Sequence, residues 1–352
     1  MNPRVGRAEQ LGGVTALRYD DGPACGMRGL LVRTRTGFEF ECAPDRGLDI
    51  PRAYFRGLSL AWQAPAGLVP SAVYAPNGDD FERSFFGGLV TTCGLTAFGP
   101  AGEDRWGRWG QHGRINHLAA ENVAYRVVSS DQREYVQIDG TVREASLFGE
   151  TLRLDRTWRI ALDSSVLELH DRITNEGGTT TPHMLLYHCN AGYPLLDDAT
   201  RLHVARSATH PRDDVARRAI ELWNRGGPPE ADFAEQVFIH RPVALDGGFS
   251  SALFANSTLD DGRGLALRIR YDSRVLPALF SWRMLGVRQY VMALEPANCP
   301  TIEGRRAAAE RSTLPFLEPG ETRSYRLEFE VLAGDEVARA VRAIDAASTV
   351  SE

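Results

Sequence analysis

QYVMALEPANCPTIEGR, residues 289–305, decides how the rest of the chain is read. Tyr290 to Leu294 has the apolar run of a buried strand, and Glu295 stands at its end just before Pro296. Successive side chains of a strand point to opposite faces. Tyr290, Met292 and Leu294 therefore share one face, while Val291, Ala293 and Glu295 share the other. The Glu295 face is built from small residues, which leaves room beside the carboxylate for something bulky. A carboxylate there needs a partner, a proton or a ligand. The plainer alternative is an acid that marks the solvated end of a strand.

Working outward, the chain has 352 residues and a formal net charge of −6. Large all-β folds often stay single at this length. No interior Pro/Ser-rich linker or charge run divides the sequence, so one domain over residues 1–352 is expected. The basic residues are scattered, which argues against nucleic acid or an anionic membrane as partner. All 40 basic Lys/Arg positions are arginine. The missing lysine excludes Schiff-base catalysis and a Walker-type phosphate loop. No G-x-G-x-x-G follows a strand and opens a long helix, so a dinucleotide fold is not expected. Cys25, Cys42, Cys93, Cys189 and Cys299 are odd in number, far apart and without a C-x-x-C, which indicates neither a zinc ribbon nor a disulfide framework. The N-terminus lacks the apolar run of a signal peptide, and nothing reaches the length of a membrane span. A reduced, cytoplasmic protein is the expectation.

Short alternating segments dominate, as in antiparallel sheet: Val14–Tyr19, Leu30–Thr34, Phe38–Cys42, Leu58–Trp62, Tyr135–Val142, Thr151–Leu162, Val166–Asn175, Gln236–His240, Ser250–Ala255, Leu265–Tyr271, Leu276–Trp282, Gly286–Leu294 and Tyr325–Val331. Helices are expected only at Asp213–Trp223 and Asp335–Ala347. The stretch from Phe85 to Gly113 is rich in glycine and aromatics and reads as a long structured loop, a kind that is usually functional. Its Trp106 and Trp109 either line a site or pin the loop. Arg46 and Asp49, in APDRGLDIPRA, read as an exposed hairpin ion pair.

The histidines do not read as metal ligands. His183 and His188 are five apart on one strand and point to opposite faces, and the same spacing separates His112 from His117. His170 falls on a polar face beside Glu168 and Arg172 and reads as a surface residue. His188 and Asn190 share a face. Trp282 is placed either to stack on a ligand or to fill the core.

Four segments, DRGLDI (Asp45 to Ile50), HGRI (His112 to Ile115), YHCNAGYPLL (Tyr187 to Leu196) and ALEPANC (Ala293 to Cys299), stand in an order that resembles the aldose 1-epimerase (galactose mutarotase) superfamily, in particular its bacterial aldose 1-epimerase-like branch. The likeness spans nearly the whole chain. It implies a large antiparallel β-sandwich, the galactose mutarotase-like supersandwich, with few short helices. It also implies a sugar substrate, and neither metal nor cofactor. By the same resemblance His188 is the general acid toward the ring oxygen, Glu295 the general base on the anomeric hydroxyl, and His112 a hydrogen-bonding contact to the sugar. Two departures stand out. Where the family carries Asn-Arg-Ile, this chain reads GLVTTCGLTAFG, with no arginine. Cys189 and Asn190 follow His188, where Tyr-Phe-Asn-Leu is usual. Arg114, Arg46, Asn190, His240 and Trp282 are the remaining candidate sugar contacts, with Asp246 near the region of the family's aspartate. Arg83, Arg105, Arg108 and Arg114 make an anionic sugar conceivable.

Mutarotation opens a cyclic hemiacetal and recloses it on the other face. One group takes the anomeric proton while another gives one to the ring oxygen, and the two swap roles on reclosure. The expected state is a carboxylate whose basicity is raised by burial, with a protonated imidazole. A hydrolase on the same scaffold would usually need a second carboxylate across the site, and Asp45 and Asp49 are the early candidates. A non-catalytic sugar binder needs neither acid nor base. The expected assembly is a monomer or homodimer.

Overall fold

The alternating segments pair into three large antiparallel sheets in the computed structural model, which describes residues 3–74 and 78–348. The first is a five-stranded meander of Gly13–Arg18, Arg28–Arg33, Phe38–Ala43, Asp49–Phe55 and Leu58–Ser59. The second has eight strands. Val166–Asn175 lies inside it, between Thr151–Ala161 and Thr322–Ala333. The third has six, running Arg206–Pro211, Gln236–Pro242, Ala278–Gly286, Gln289–Ala297, Met184–Ala191 and Thr91–Leu95 across the sheet.

Alternation decides which face of each strand is covered. Leu154, Trp158, Leu169 and Phe329 from the eight-stranded sheet join Tyr187, Cys189, Met292 and Leu294 from the six-stranded one in a single core, which continues into Val32, Phe40 and Ile50 of the meander. Each such side chain contributes about 1.5–3 kcal/mol by leaving water. The result is a mainly-β sandwich with few helices. The Asp335–Ala347 helix packs Val337, Ala340 and Ile344 on Leu253, Ala266 and Leu332, the spacing of a single helical stripe.

The six-stranded sheet is covered on both faces. Along Met184–Ala191 every residue is buried. Leu185, Tyr187 and Cys189 enter the main core, while Met184 and Leu186 join a second cluster with Phe81, Phe85, Val237 and Phe280. This second face carries the site.

Several expectations are corrected. The helix over 213–223 is one turn and a half: Asp214–Arg218, capped by Asp213 accepting from the Ala216 amide at 2.9 Å, then a 3-10 turn at Ile220–Leu222. The segment 58–62 is regular only at Leu58–Ser59. Beyond it the Trp62 amide donates to the Asn190 carbonyl at 3.1 Å, turning the chain toward the six-stranded sheet. The 85–113 loop contains the Thr91–Leu95 strand and a small hairpin of Gly102–Asp104 with Gly107–Trp109.

Arg46 and Asp49 are not an exposed pair; both are fully buried and they bind different partners. Arg46 donates to the carbonyls of Asn116, Val69 and Ser84 at 2.7, 2.8 and 2.9 Å. Asp49 accepts from Arg156 Nη1 at 2.6 Å and from the amide and hydroxyl of Thr92. Arg156 also forks onto Asp171 at 2.9 and 2.7 Å, and Asp171 takes a further bond from the Tyr187 hydroxyl. Arg156 lies on the same inward face of its strand as Leu154 and Trp158. This network ties the meander to both larger sheets at the centre of the molecule.

Candidate active site

Strand period two aims the site. Gln289, Val291 and Glu295 of the Gln289–Ala297 strand, Trp282 and Met284 of the next strand, Val237 of the one beyond and His188 of Met184–Ala191 all face one cavity of about 720 Å³. Phe81 from the turn at Asp80–Arg83, with Phe85 and His112 from the glycine-rich connection, closes one side, and Trp62 and Ala64 close another. The 85–113 segment therefore contributes to the site through Phe85, Gly99, Pro100, Gln111 and His112. Its tryptophans do the pinning instead: Trp109 donates to the Pro100 carbonyl at 3.0 Å and Trp106 packs on Phe316.

His188 Nε2 lies 3.4 Å from Glu295 Oε1, with side chains only 7% and 4% exposed. Phe85, His112 and Trp282 stand edge-on around the imidazole at centroid distances of 5.2, 5.8 and 5.5 Å. In so apolar a shell, charge is disfavoured. Burial, helped by the nearby Glu235 charge and opposed by Arg212, pushes the Glu295 carboxyl up to about 8. Burial, helped by His112 and opposed by the Asn190 side chain, pushes His188 down to about 3. Both directions favour the uncharged forms, a protonated carboxyl beside a neutral ring, and so run against an ionised glutamate with a charged imidazole. His112 is held down to about 4, again by burial, and its backbone takes the left-handed φ of 57°. A non-glycine residue rarely adopts that region. It persists here because the His112 amide donates to Gly99 and its carbonyl accepts from Gly94. The next residue, Gly113, has room for no side chain: a Cβ would fall 2.4 Å from the Gly94 carbonyl oxygen.

Of the expected residues, Glu295, His188, His112 and Trp282 meet in the cavity; Arg46, Arg114, Asn190 and His240 do not line it. Arg46 is saturated by the three carbonyls above. His240 is enclosed between Thr209 and Ser281 hydroxyls at 3.0 and 2.8 Å and packs on Trp223. Arg114 acts on Tyr74, Glu144 and His117. Asn190 donates to the Gly88 and His188 carbonyls, which leaves it behind the imidazole rather than in front of it. Asp246 sits in the turn that bridges to Phe249 and does not reach the cavity.

Sequence reasoning missed Glu235 and Arg212. Glu235 accepts from Trp282 Nε1 at 3.1 Å and from Arg212 Nη2 at 2.9 Å, which fixes the indole in the cavity wall. Both residues flank the strand and helix signals and carry no motif of their own. Glu235 stands just before the Gln236–Pro242 strand, two residues ahead of the cavity-lining Val237. The early acids proposed for a hydrolase are elsewhere: Asp45 pairs with Arg28 at 2.6 Å and Asp49 with Arg156. Among the described residues, no three His, Cys, Asp or Glu side chains converge to hold a metal ion, and no helix is long and apolar enough to cross a membrane.

Known proteins give this architecture a context. A candidate aldose 1-epimerase from Klebsiella pneumoniae subsp. pneumoniae superposes with a TM-score of 0.88 at 23% identity, over 96% of this chain and 90% of that one. A galactose mutarotase-like protein from Clostridium acetobutylicum gives 0.59 at 14% identity, over 91% and 99%. The galactose 1-epimerase from Lactobacillus acidophilus gives 0.58 at 12% identity, over 91% and 99%. At such identities these likenesses establish the fold alone. No curated protein matches the sequence. A family profile described as a domain of unknown function, DUF4432, matches residues 24–331. The chain therefore belongs to the DUF4432 family, built on the galactose mutarotase-like β-sandwich.

Proposed function

We propose that the cavity interconverts the α and β anomers of an aldose, by acid–base opening and reclosure of the ring. The observation that carries this reading is the buried Glu295–His188 pair at 3.4 Å, facing an aromatic-walled space large enough for a hexose. Ring opening needs one proton between two groups, donated at the ring oxygen and taken from the anomeric hydroxyl. The pair holds that one proton. After opening it sits on the opposite partner, and reclosure returns it. Trp282 and Trp62 offer indole surfaces for the C–H face of a pyranose, and His112 offers a hydrogen-bonding edge. The barrier in water is already modest, so help of about 10²–10⁴-fold from acid–base catalysis is sufficient.

Glu235 supplies a second carboxylate in the same cavity, which keeps a hydrolase or a modified-sugar isomerase as the second reading. Its double engagement by Arg212 and Trp282 favours a fixed wall over a proton carrier. The five cysteines are free thiols, in keeping with a reducing cytoplasmic setting.

Exchange NMR between anomers, run over a panel of aldoses, tests the proposal. Acceleration over buffer is expected for at least one sugar, and none at saturating protein would refute it. The same assay gives the pH dependence. Raising pH through about 8 strips the Glu295 proton, and lowering it through about 3 adds one to His188. The one-proton form therefore persists between those limits, and kcat/KM is expected to stay level from about pH 5 to about pH 7 and to fall above 8. An exposed pair with ordinary values would hold one proton only between about 4.3 and 6.5. Loss of activity near pH 6.5 would contradict the buried, neutral pair.

A further inference from the structure

The cavity is deep at one end and open at the other. At the deep end the His188 and Glu295 side chains are 7% and 4% exposed; at the open end those of Arg212 and Glu235 are 27% and 51% exposed. The sheet sets the distance between the two ends. His188 stands on Met184–Ala191 and Glu235 just before Gln236–Pro242, with two strands between them. Three strand spacings come to about 14 Å. A pyranose, built from bonds of about 1.5 Å, measures only roughly 5 Å from O1 to O4. Trp282 bridges the interval: its ring stands edge-on to His188 at 5.5 Å, and its Nε1 donates to Glu235 at 3.1 Å. One pyranose held by the catalytic pair therefore leaves the Arg212–Glu235 end of the 720 Å³ cavity unfilled.

That end has hydrogen-bonding capacity to spare. Arg212 spends Nε and Nη2 on Asp213 and Glu235, and its Nη1 has no partner among the described residues. Each Glu235 oxygen accepts one bond, from Arg212 or from Trp282, and keeps a further lone pair. A free donor beside a free acceptor matches a hydroxyl, which is both.

We propose that this end is a second sugar subsite, and that the protein takes the reducing end of a 1,4-linked disaccharide or longer oligosaccharide in preference to a free monosaccharide. This rests on the reading above that Glu295 and His188 act on an anomeric centre. O4 lies across the ring from C1, so a 4-linked unit leads away from the pair. It passes along Trp282 and sets its own hydroxyls between Arg212 Nη1 and Glu235. Further units run out through the open end.

Binding is read from fluorescence of the cavity tryptophans, independently of turnover, for D-glucose, cellobiose, maltose, D-galactose, β-1,4-galactobiose and D-glucose 6-phosphate. At least one disaccharide is expected to bind at least about 10-fold more tightly than its own reducing-end monosaccharide, because the second ring adds hydrogen bonds and apolar contact. Arg212→Leu should bring that ratio toward unity; the wild-type ratio decides by itself should the variant not fold. No disaccharide bound more tightly than its monosaccharide, glucose 6-phosphate bound more tightly than every disaccharide, or an unchanged ratio in Arg212→Leu would overturn the inference. Exchange NMR at the reducing end of the same probes separates the two levels. Monosaccharide exchange with no gain for any disaccharide overturns the second subsite alone. Tighter disaccharide binding without exchange overturns the epimerase reading and supports the subsite, whereas neither binding nor exchange with any probe overturns both.

Discussion

Glu295→Gln is expected to slow anomer exchange by about 10²–10⁴-fold, with the loss in kcat rather than KM. Glutamine keeps the shape and polarity of the protonated carboxyl but cannot give or take the proton. The same substitution should leave the fold intact and make it sturdier at alkaline pH. The Glu295 carboxyl is raised to about 8 in the folded state, whereas in the unfolded chain it titrates near the ordinary 4.5. The stability tied to its neutral form is fully present below the unfolded value. It is lost as pH climbs toward the folded value, because only the unfolded chain releases the proton over that interval. The glutamine variant has no such loss. Urea midpoints for the two proteins should coincide near pH 4 and diverge by pH 8, with the variant the more stable. A variant that keeps wild-type turnover, or one that is less stable at pH 8, would count against Glu295 as the buried proton carrier. A catalytic group that weakens its own fold is an ordinary consequence of burying chemistry.

The second large effect is structural. Arg156→Met is expected to destabilise the protein by about 3–5 kcal/mol, because it leaves Asp49 and Asp171 buried without their shared cation. The guanidinium is held firmly charged by Asp171 and Asp49, and all three side chains are essentially sealed from water. Each carboxylate has further donors, Thr92 for Asp49 and Tyr187 for Asp171, so the network is satisfied only while the arginine is present. Replacing all three charged groups together by apolar residues should recover much of the loss, since a buried ion pair need not be worth more than good packing. Denaturant unfolding of the single and triple variants measures both. A single-variant change below about 1 kcal/mol would show that the network does not hold the meander to the sandwich.

The elements most legible in the sequence are those with one covered face. Val166–Asn175 and Asp335–Ala347 have the bounds that their alternation and helical stripe imply. Glu121–Ser130 gave no signal because it is an edge strand with neither face well covered, so its side chains follow no alternation. Thr91–Leu95 was hidden for the opposite reason: every residue is buried, and Thr-Thr-Cys-Gly-Leu reads as loop. In the site, Glu295 could be found because period two separates Val291 and Glu295 from Met292 and Leu294 on a single strand. Arg46 misled for a physical reason. A guanidinium in a glycine turn looks available, yet its three partners are backbone carbonyls at Val69, Ser84 and Asn116, and backbone carbonyls leave no trace in residue type. Glu235 was missed because its importance lies in Arg212 and Trp282, which are near it only once the sheet has formed.

A crystal of the protein soaked with a slowly turned-over aldose, or of Glu295→Gln with a good substrate, addresses the arrangement on which the account depends. The prediction is a pyranose lying against Trp282, its ring oxygen and anomeric oxygen each within about 3 Å of one member of the pair formed by residue 295 and His188 Nε2. A sugar seated with its anomeric carbon turned toward the Arg212–Glu235 end, both of its oxygens out of reach of that pair, would contradict it.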